Sequence, residues 1–249
     1  MSGKALWRFV HLSDPHLGST HDGEWNHRFL CTMMPEVVAC LRRDLAALAP
    51  DFLLITGDVV SRQTHKAMQE ARELLDSLEI PYYPMGGNHD FVLHDSRAWF
   101  LEAFAHRLPT YNTVYTFSHK GLRFCVLDAW WRWPDGALMP VAPQKARETM
   151  EEDLKGLYWA LPPEQLTWLD AVLKAHAHET TVLAVHYPAI PIPARLRHPG
   201  LKDGGYLDNG HLLLQMTDRH PQVAAIFSGH VHLHFIEPAG RLVQVTTGA

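Results

Sequence analysis

Much is missing from this chain, and each absence narrows what it can be. Only three cysteines occur, Cys31, Cys40 and Cys125. Each lies in an apolar periodic segment and the number is odd, so buried free thiols in a reducing cytoplasm are expected rather than a disulfide framework. No basic patch stands out, and the formal net charge is -5, which argues against extended nucleic-acid binding. No run approaches the ~20 apolar residues of a membrane span. The opening stretch, Met1 to Val10, is too short and too interrupted by charge for a signal peptide. What remains is an ordinary globular composition, 47% hydrophobic and 20% charged over 249 residues. That length suffices for a single domain spanning 1–249. Because the chain stops at Gly248-Ala249, directly after a strand pattern, a further C-terminal segment is expected. The one excess is histidine, with 18 residues, so position rather than number must say which of them matter.

Buried strands alternate with amphipathic helices along the chain, and the strands share an ending. Trp7 to Ser13 reads as a strand that Pro15 halts, leaving Asp14 and His16 at its carboxyl end. Pro35 to Leu48 carries Val37, Val38, Leu41, Leu45 and Leu48 at helical spacing, with Pro35 in the first turn. The apolar run Phe52 to Thr56 then ends in Gly57-Asp58, and the βαβ order implies a parallel pair that brings Asp58 beside Asp14. A helix over Lys66 to Leu78 leads to the strand Ile80 to Met85, which runs into Gly86-Gly87-Asn88-His89-Asp90. Taken alone that loop is a turn. At the carboxyl end of a third parallel strand it falls where open α/β sheets bind ligands.

The second half repeats the pattern with antiparallel strands added. Ser96 is expected to cap a helix reaching Arg107. Thr113 to Phe117 and Leu122 to Leu127 form a hairpin; Asp128 follows at a strand end, and Ala129 to Pro134 reads as a loop. The stretch from Asp135 to Gly156 is irregular. A helix from Pro162 to Ala177, with Leu166, Leu169, Val172 and Leu173 inward, precedes the strand Thr181 to Val185, which ends in His186-Tyr187-Pro188. His176 and His178 face solvent near the helix end. The proline-rich loop Ala189 to Asp208 carries Arg195, Arg197, His198 and Lys202, cations that suit an anionic substrate as well as they suit solvent. Asn209 is expected to cap Leu212 to Arg219. The strand Val223 to Phe227 then ends in Ser228-Gly229-His230-Val231-His232, and a hairpin over Leu233 to Thr246 follows.

The strand-end residues Asp14, His16, Asp58, Asn88, His186, His230 and His232 form one set of oxygen and nitrogen donors without a thiolate. Seven are too many for one tetrahedral ion but suit two ions of higher coordination if a carboxylate bridges them. The mixture favours Mn²⁺, Fe or Zn²⁺ over Ca²⁺ or Mg²⁺.

Asp-x-His, Gly-Asp, Gly-Asn-His-Asp, a lone strand-end His and Gly-His-x-His occur in that order from Asp14 to His232. In this the chain resembles the calcineurin-like metallophosphoesterases. The resemblance implies an α/β fold, a four-layer α-β-β-α sandwich of two mixed sheets flanked by helices. It implies that Asp14, His16 and His232 hold one metal, that Asn88, His186 and His230 hold the other, and that Asp58 bridges. Two such ions generate hydroxide from a shared water for in-line attack on a small phosphate ester. His89, beside Asn88 and not needed as a ligand, is then the general acid or a stabiliser of transition-state charge. Ser61 stands where phosphoprotein phosphatases have an acidic residue to orient that histidine. Asp90, in place of their Glu, makes the chain more similar to the bacterial branch that includes cyclic-nucleotide phosphodiesterases. A phosphodiesterase is therefore expected, with a phosphomonoesterase or a catalytically silent scaffold as alternatives.

Overall fold

In a computed structural model the described residues are 7–18, 30–61, 64–91, 95–132, 139–140, 157–197 and 205–248. The first half builds a three-stranded sheet from β1 (Phe9–Leu12), β2 (Phe52–Thr56) and β3 (Tyr82–Met85), paired in that order and parallel throughout. The helices α1 (Leu30–Leu48) and α2 (His65–Asp76) make the crossovers, and α3 (Ser96–Phe104) follows β3. The second half builds a mixed six-stranded sheet from β4 (Tyr115–His119), β5 (Leu122–Leu127), β9 (Thr180–Val185), β10 (Val223–Ser228), β11 (Phe235–Ala239) and β12 (Leu242–Thr246). Its spatial order is β11-β12-β10-β9-β5-β4, with β5, β9, β10 and β12 parallel and a hairpin at each edge. The helices α4 (Pro163–Ala175) and α5 (Gly210–Asp218) belong to this half. The architecture is the two-sheet α/β sandwich that the sequence led us to expect.

Side-chain alternation along β5 and β9 explains the layering, because successive residues of a strand face opposite sides. Phe124, Val126, Val182 and Ala184 bury into one apolar core with the three-stranded sheet, α2 and α3, whereas Cys125, Leu127, Leu183 and Val185 bury into another with α4 and α5. An aromatic seam joins the sheets: Phe52 stacks on Phe9 at 5.3 Å and meets Phe117 and Phe124 edge-on at 5.7 and 5.4 Å. Such pairs contribute about 0.5–1.5 kcal/mol each beyond the area they bury. The seam fixes the two sheets so that their carboxyl ends open on the same side.

Several local expectations need correction. Pro35 lies inside α1 rather than in its first turn, since the helix begins at Leu30. Along that helix Leu45 is buried, while Val37 and Leu48 are exposed; both lie to the same side of Leu45, by about 80° and 60°, outside the narrow stripe that meets the core. Cys40 is exposed on the same helix and Cys125 is buried, both free; the Cys31 side chain lies outside the described residues. Ser96 is the first helical residue of α3, with Asp95 at the cap position. Asn209 precedes α5 but does not cap it with its side chain, which instead binds the backbone of Leu161 in both directions at 3.0 and 2.9 Å.

The tryptophan run also departs from expectation. Trp130–Arg132 is a strand, β6, paired antiparallel with β7 (Met139–Pro140) and β8 (Leu157–Trp159) in a third small sheet. Backbone pairing across a long excursion, not local alternation, makes it a strand. Trp133, His198, Lys202 and the stretch 141–156 lie outside the described residues.

Candidate metal centre

The parallel strands β1, β2, β3, β9 and β10 each carry polar residues just past the carboxyl end, and the segments that bear them interlock. Past the end of β1 the chain stays paired to the segment after β2: Asp14 N donates to Gly57 O at 3.0 Å, His16 N to Asp58 O at 3.0 Å and Leu17 N to Val59 O at 2.8 Å. The Thr56 carbonyl ties the two halves together by accepting from His186 Nδ1 at 2.7 Å and from Ser13 Oγ at 3.3 Å. Loop spacing is close enough to exclude a methyl group at several points, Gly87 and Gly229 among them. A Cβ on Gly87 would strike Asp58 and His186, and one on Gly229 would strike Ser13 and Asp14.

Donor atoms converge within this frame. Single atoms from Asp14, His16, Asp58 and His232 all lie within 4.8 Å of one another, and so do atoms from Asp58, His186 and His230. Asp58 belongs to both groups. Its Oδ2 lies 3.6 Å from His16 Nε2, and its Oδ1 lies 3.4 Å from His186 Nε2. Asp14 Oδ1 is 3.3 Å from His232 Nε2, and the His16 and His232 Nε2 atoms approach to 3.3 Å. Asn88 Oδ1 sits 3.1 Å from His186 Nε2. His89 stands at the rim, with its side chain 13% exposed and Nε2 4.0 Å from Asp58 Oδ2, and its backbone N–H donates to Asp58 Oδ1 at 2.8 Å. All eight residues singled out from the sequence therefore lie in one place.

The electrostatics suit cations. Burial opposes ionisation of Asp58, but His186, His89 and His16 outweigh it and hold its carboxyl well below the usual range. Burial likewise disfavours charge on His186, yet Asp58 prevails and raises that imidazole to about 9. His230 is pushed the other way, well below its ordinary value, by burial and then by the neighbouring His186. A buried neutral imidazole is the form that ligates metal. The Nδ1–H bond to Thr56 also fixes the His186 ring, leaving Nε2 directed at Asp58 and Asn88. These oxygen and nitrogen donors fit a pair of metal ions.

Backbone conformation at the site could not be read from the residues. Asp14, His16, Asp58, His230 and His232 take φ values of 53°, 41°, 50°, 67° and 51°. The left-handed region costs a side-chain-bearing residue about 1–2 kcal/mol, and such strain gathers at functional sites. The interlocking hydrogen bonds hold it, including His230 N to Asp14 Oδ2 at 3.0 Å.

Three further residues have roles that the sequence did not disclose. Asp90 is buried and accepts from Gly87 N at 2.8 Å, Val59 N at 3.1 Å and Val60 N at 3.0 Å, so it clamps the loop bearing Asn88 to the loop bearing Asp58. Burial and then the Asp58 charge push its carboxyl upward, and the three N–H donors pull it back. Ser61 Oγ donates to His16 O at 2.7 Å, stitching the first loop to the second. Asp128, although at a strand end, stays out of the cluster: Arg97 grips it through two bonds at 3.0 and 3.1 Å, and Thr113 Oγ1 donates to it at 3.0 Å. Of the loop cations, Arg195 pairs with Glu237.

A two-sheet sandwich with Asp, Asn and His donors at the converging strand ends defines a metal-dependent phosphoesterase. The chain belongs to the calcineurin-like phosphoesterase family, whose model matches residues 8–234, and it is a hydrolase of phosphate esters. The family depends on a dinuclear metal centre. Among curated relatives, a glycerophosphodiester phosphodiesterase of Enterobacter lignolyticus is 26% identical over 228 residues, covering 90% of this chain and 70% of its own. A 3',5'-cyclic-nucleotide phosphodiesterase of Nostoc is 25% identical over 237 residues, covering 94% and 75%. A solved dimetal phosphatase from Danio rerio shares the fold, with TM-score 0.66 at 17% identity over 98% of this chain and 88% of its own. Among the described residues no helix is long and apolar enough to cross a membrane.

Proposed function

We propose that the chain is a single-domain phosphodiesterase with two metal positions bridged by Asp58. Asp14, His16 and His232 hold one ion; Asn88, His186 and His230 hold the other. The observation that carries this reading is the division of Asp58, one carboxylate oxygen facing His16 and the other facing His186. Mn²⁺, Fe or Zn²⁺ suits donors of this kind. When bound, the ions supply positive charge against the phosphoryl oxygens and lower the pKa of water.

The protein's own groups do the rest. Backbone strain and the loop clamp pre-organise the donors, so no rearrangement is needed when the substrate arrives. His89, partly exposed at the rim and anchored through its backbone to Asp58, delivers a proton to the leaving oxygen or stabilises charge there. The names of the relatives, glycerophosphodiester and cyclic-nucleotide phosphodiesterases, support a diester, as does Asp90 in the Gly-Asn-His-Asp motif. The free cysteines support a reducing, cytoplasmic setting.

The test is an activity panel on the Mn²⁺-loaded protein. Hydrolysis of bis-p-nitrophenyl phosphate or a cyclic nucleotide should exceed that of p-nitrophenyl phosphate in kcat/KM. A preference for the monoester would replace diesterase with phosphomonoesterase, and hydrolysis of neither would favour a scaffold.

A further inference from the structure

His186 and His230 sit side by side, their ring centroids 5.2 Å apart, but they are held in different ways. The His186 ring is locked by its Nδ1–H bond to Thr56 O at 2.7 Å, the arrangement by which metal-ligating imidazoles are commonly oriented. His230 has no such anchor: its Nδ1 is buried and lacks a hydrogen-bond partner among the described residues. Its ring is instead packed against aromatic groups. Tyr187 lies 4.2 Å from it, tilted by 57°, and Trp159 lies 5.4 Å from it, also at 57°. Tyr187 in turn stacks on Trp159 at 5.1 Å and 10°, lies near-parallel to Trp130 at 6.3 Å and 17°, and meets His186 edge-on at 5.1 Å.

The Tyr187 hydroxyl does not explain its place. Tyr187 is fully buried and its OH has no hydrogen-bond partner among the described residues, so no hydroxyl bond there accounts for its position. The contribution comes from the ring face, wedged between two imidazoles and backed by indoles.

We propose that Tyr187 is a positioning residue for His230, with the Trp130–Tyr187–Trp159 stack setting the imidazole orientation that a hydrogen bond sets for His186. Through it the stack governs occupancy of the metal position formed by Asn88, His186, His230 and Asp58. The other position, with Asp14, His16 and His232, does not depend on it. This rests on the assignment of His230 as a ligand under the proposed function, and the variants below separate the two.

The experiment is a Mn²⁺ titration of the full chain, read by bound-metal content and by electron paramagnetic resonance, which distinguishes a coupled ion pair from a single ion. Tyr187→Phe should bind two ions with affinities within about 2-fold of wild type, because the ring remains. Tyr187→Leu should weaken one ion by about 10- to 100-fold, leave the other unchanged, and recover turnover as Mn²⁺ is raised. Trp159→Leu, which removes the backing of the stack, should weaken the same ion in the same direction and decides the matter if Tyr187→Leu does not fold. Wild-type affinity for both ions in the folded leucine variants, or loss of an ion in Tyr187→Phe, would overturn the inference. His230→Ala with both ions still bound at wild-type affinity would overturn the ligand assignment itself.

Discussion

Replacing Asp90 should separate the frame of the site from its chemistry. Its two carboxylate oxygens accept three backbone N–H groups, from Gly87, Val59 and Val60, in a pocket from which solvent is excluded. In Asp90→Ala all three donors lose their acceptor. Each orphaned buried donor costs about 1–3 kcal/mol. Entry of a water into the space left by the carboxylate offsets part of this, so the net loss should be about 3–5 kcal/mol. Asp90→Asn keeps one oxygen able to accept two N–H groups but turns its NH₂ toward the third, and about 1–3 kcal/mol should be lost. Urea unfolding in the presence of a chelator measures this directly, since bound metal would otherwise add its own linkage term. Metal binding measured separately should weaken too, because the clamped loops carry Asp58 and Asn88. An Asp90→Ala protein within about 0.5 kcal/mol of wild type, the range of ordinary surface changes, would refute the clamp.

Two other outcomes follow from the same geometry. His89→Ala should leave metal content intact and cut turnover by about 10²-fold or more, and loss of bound metal would show His89 to be a ligand. Asp76, which accepts from Tyr82 OH at 3.0 Å and from Arg107 at 2.8 and 3.1 Å, is held well below the usual carboxylate range: burial opposes this, but its bonds to His106, Arg107 and Tyr82 outweigh it. Its stabilisation is therefore full above the unfolded value of about 3.9 and is lost as pH falls through the lower folded value. Asp76→Asn should destabilise by about 1–3 kcal/mol at pH 7, and unfolding curves should show the gap to wild type shrinking toward pH 2; an unchanged gap would contradict this.

The fold was legible where apolar runs are long enough to leave no choice of element. The runs Phe52–Thr56, Leu122–Leu127, Thr180–Val185 and Val223–Ser228 are strands in the structure, and the polar residues just beyond all but Leu122–Leu127 gather at one end because parallel strands share a carboxyl edge. Long-range backbone pairing was not legible. Trp130–Arg132 becomes a strand only through partners up to 29 residues away along the chain. A cap is not legible where the side chain has a distant use: Asn209 serves Leu161 rather than its own helix. Asp90 drew notice as a motif letter, yet its three acceptor bonds depend on two loops meeting in space. The left-handed backbone at Asp14, His16, Asp58, His230 and His232 has only a weak counterpart in residue type: aspartate and histidine take this conformation more readily than most residues, but both are common elsewhere in the chain. Arg195, a loop cation whose sequence suits an anionic substrate or solvent equally, pairs with Glu237 on the surface, a partner 42 residues away that residue type does not reveal.

The central claim is that Asp58 joins two metal positions, and Mn²⁺ stoichiometry with electron paramagnetic resonance of Asp58→Asn tests it most directly. The wild-type chain should bind two coupled ions. The variant should bind both more weakly and lose the coupling, because each carboxylate oxygen faces a different histidine group. A variant that kept two coupled ions at wild-type affinity would contradict the account.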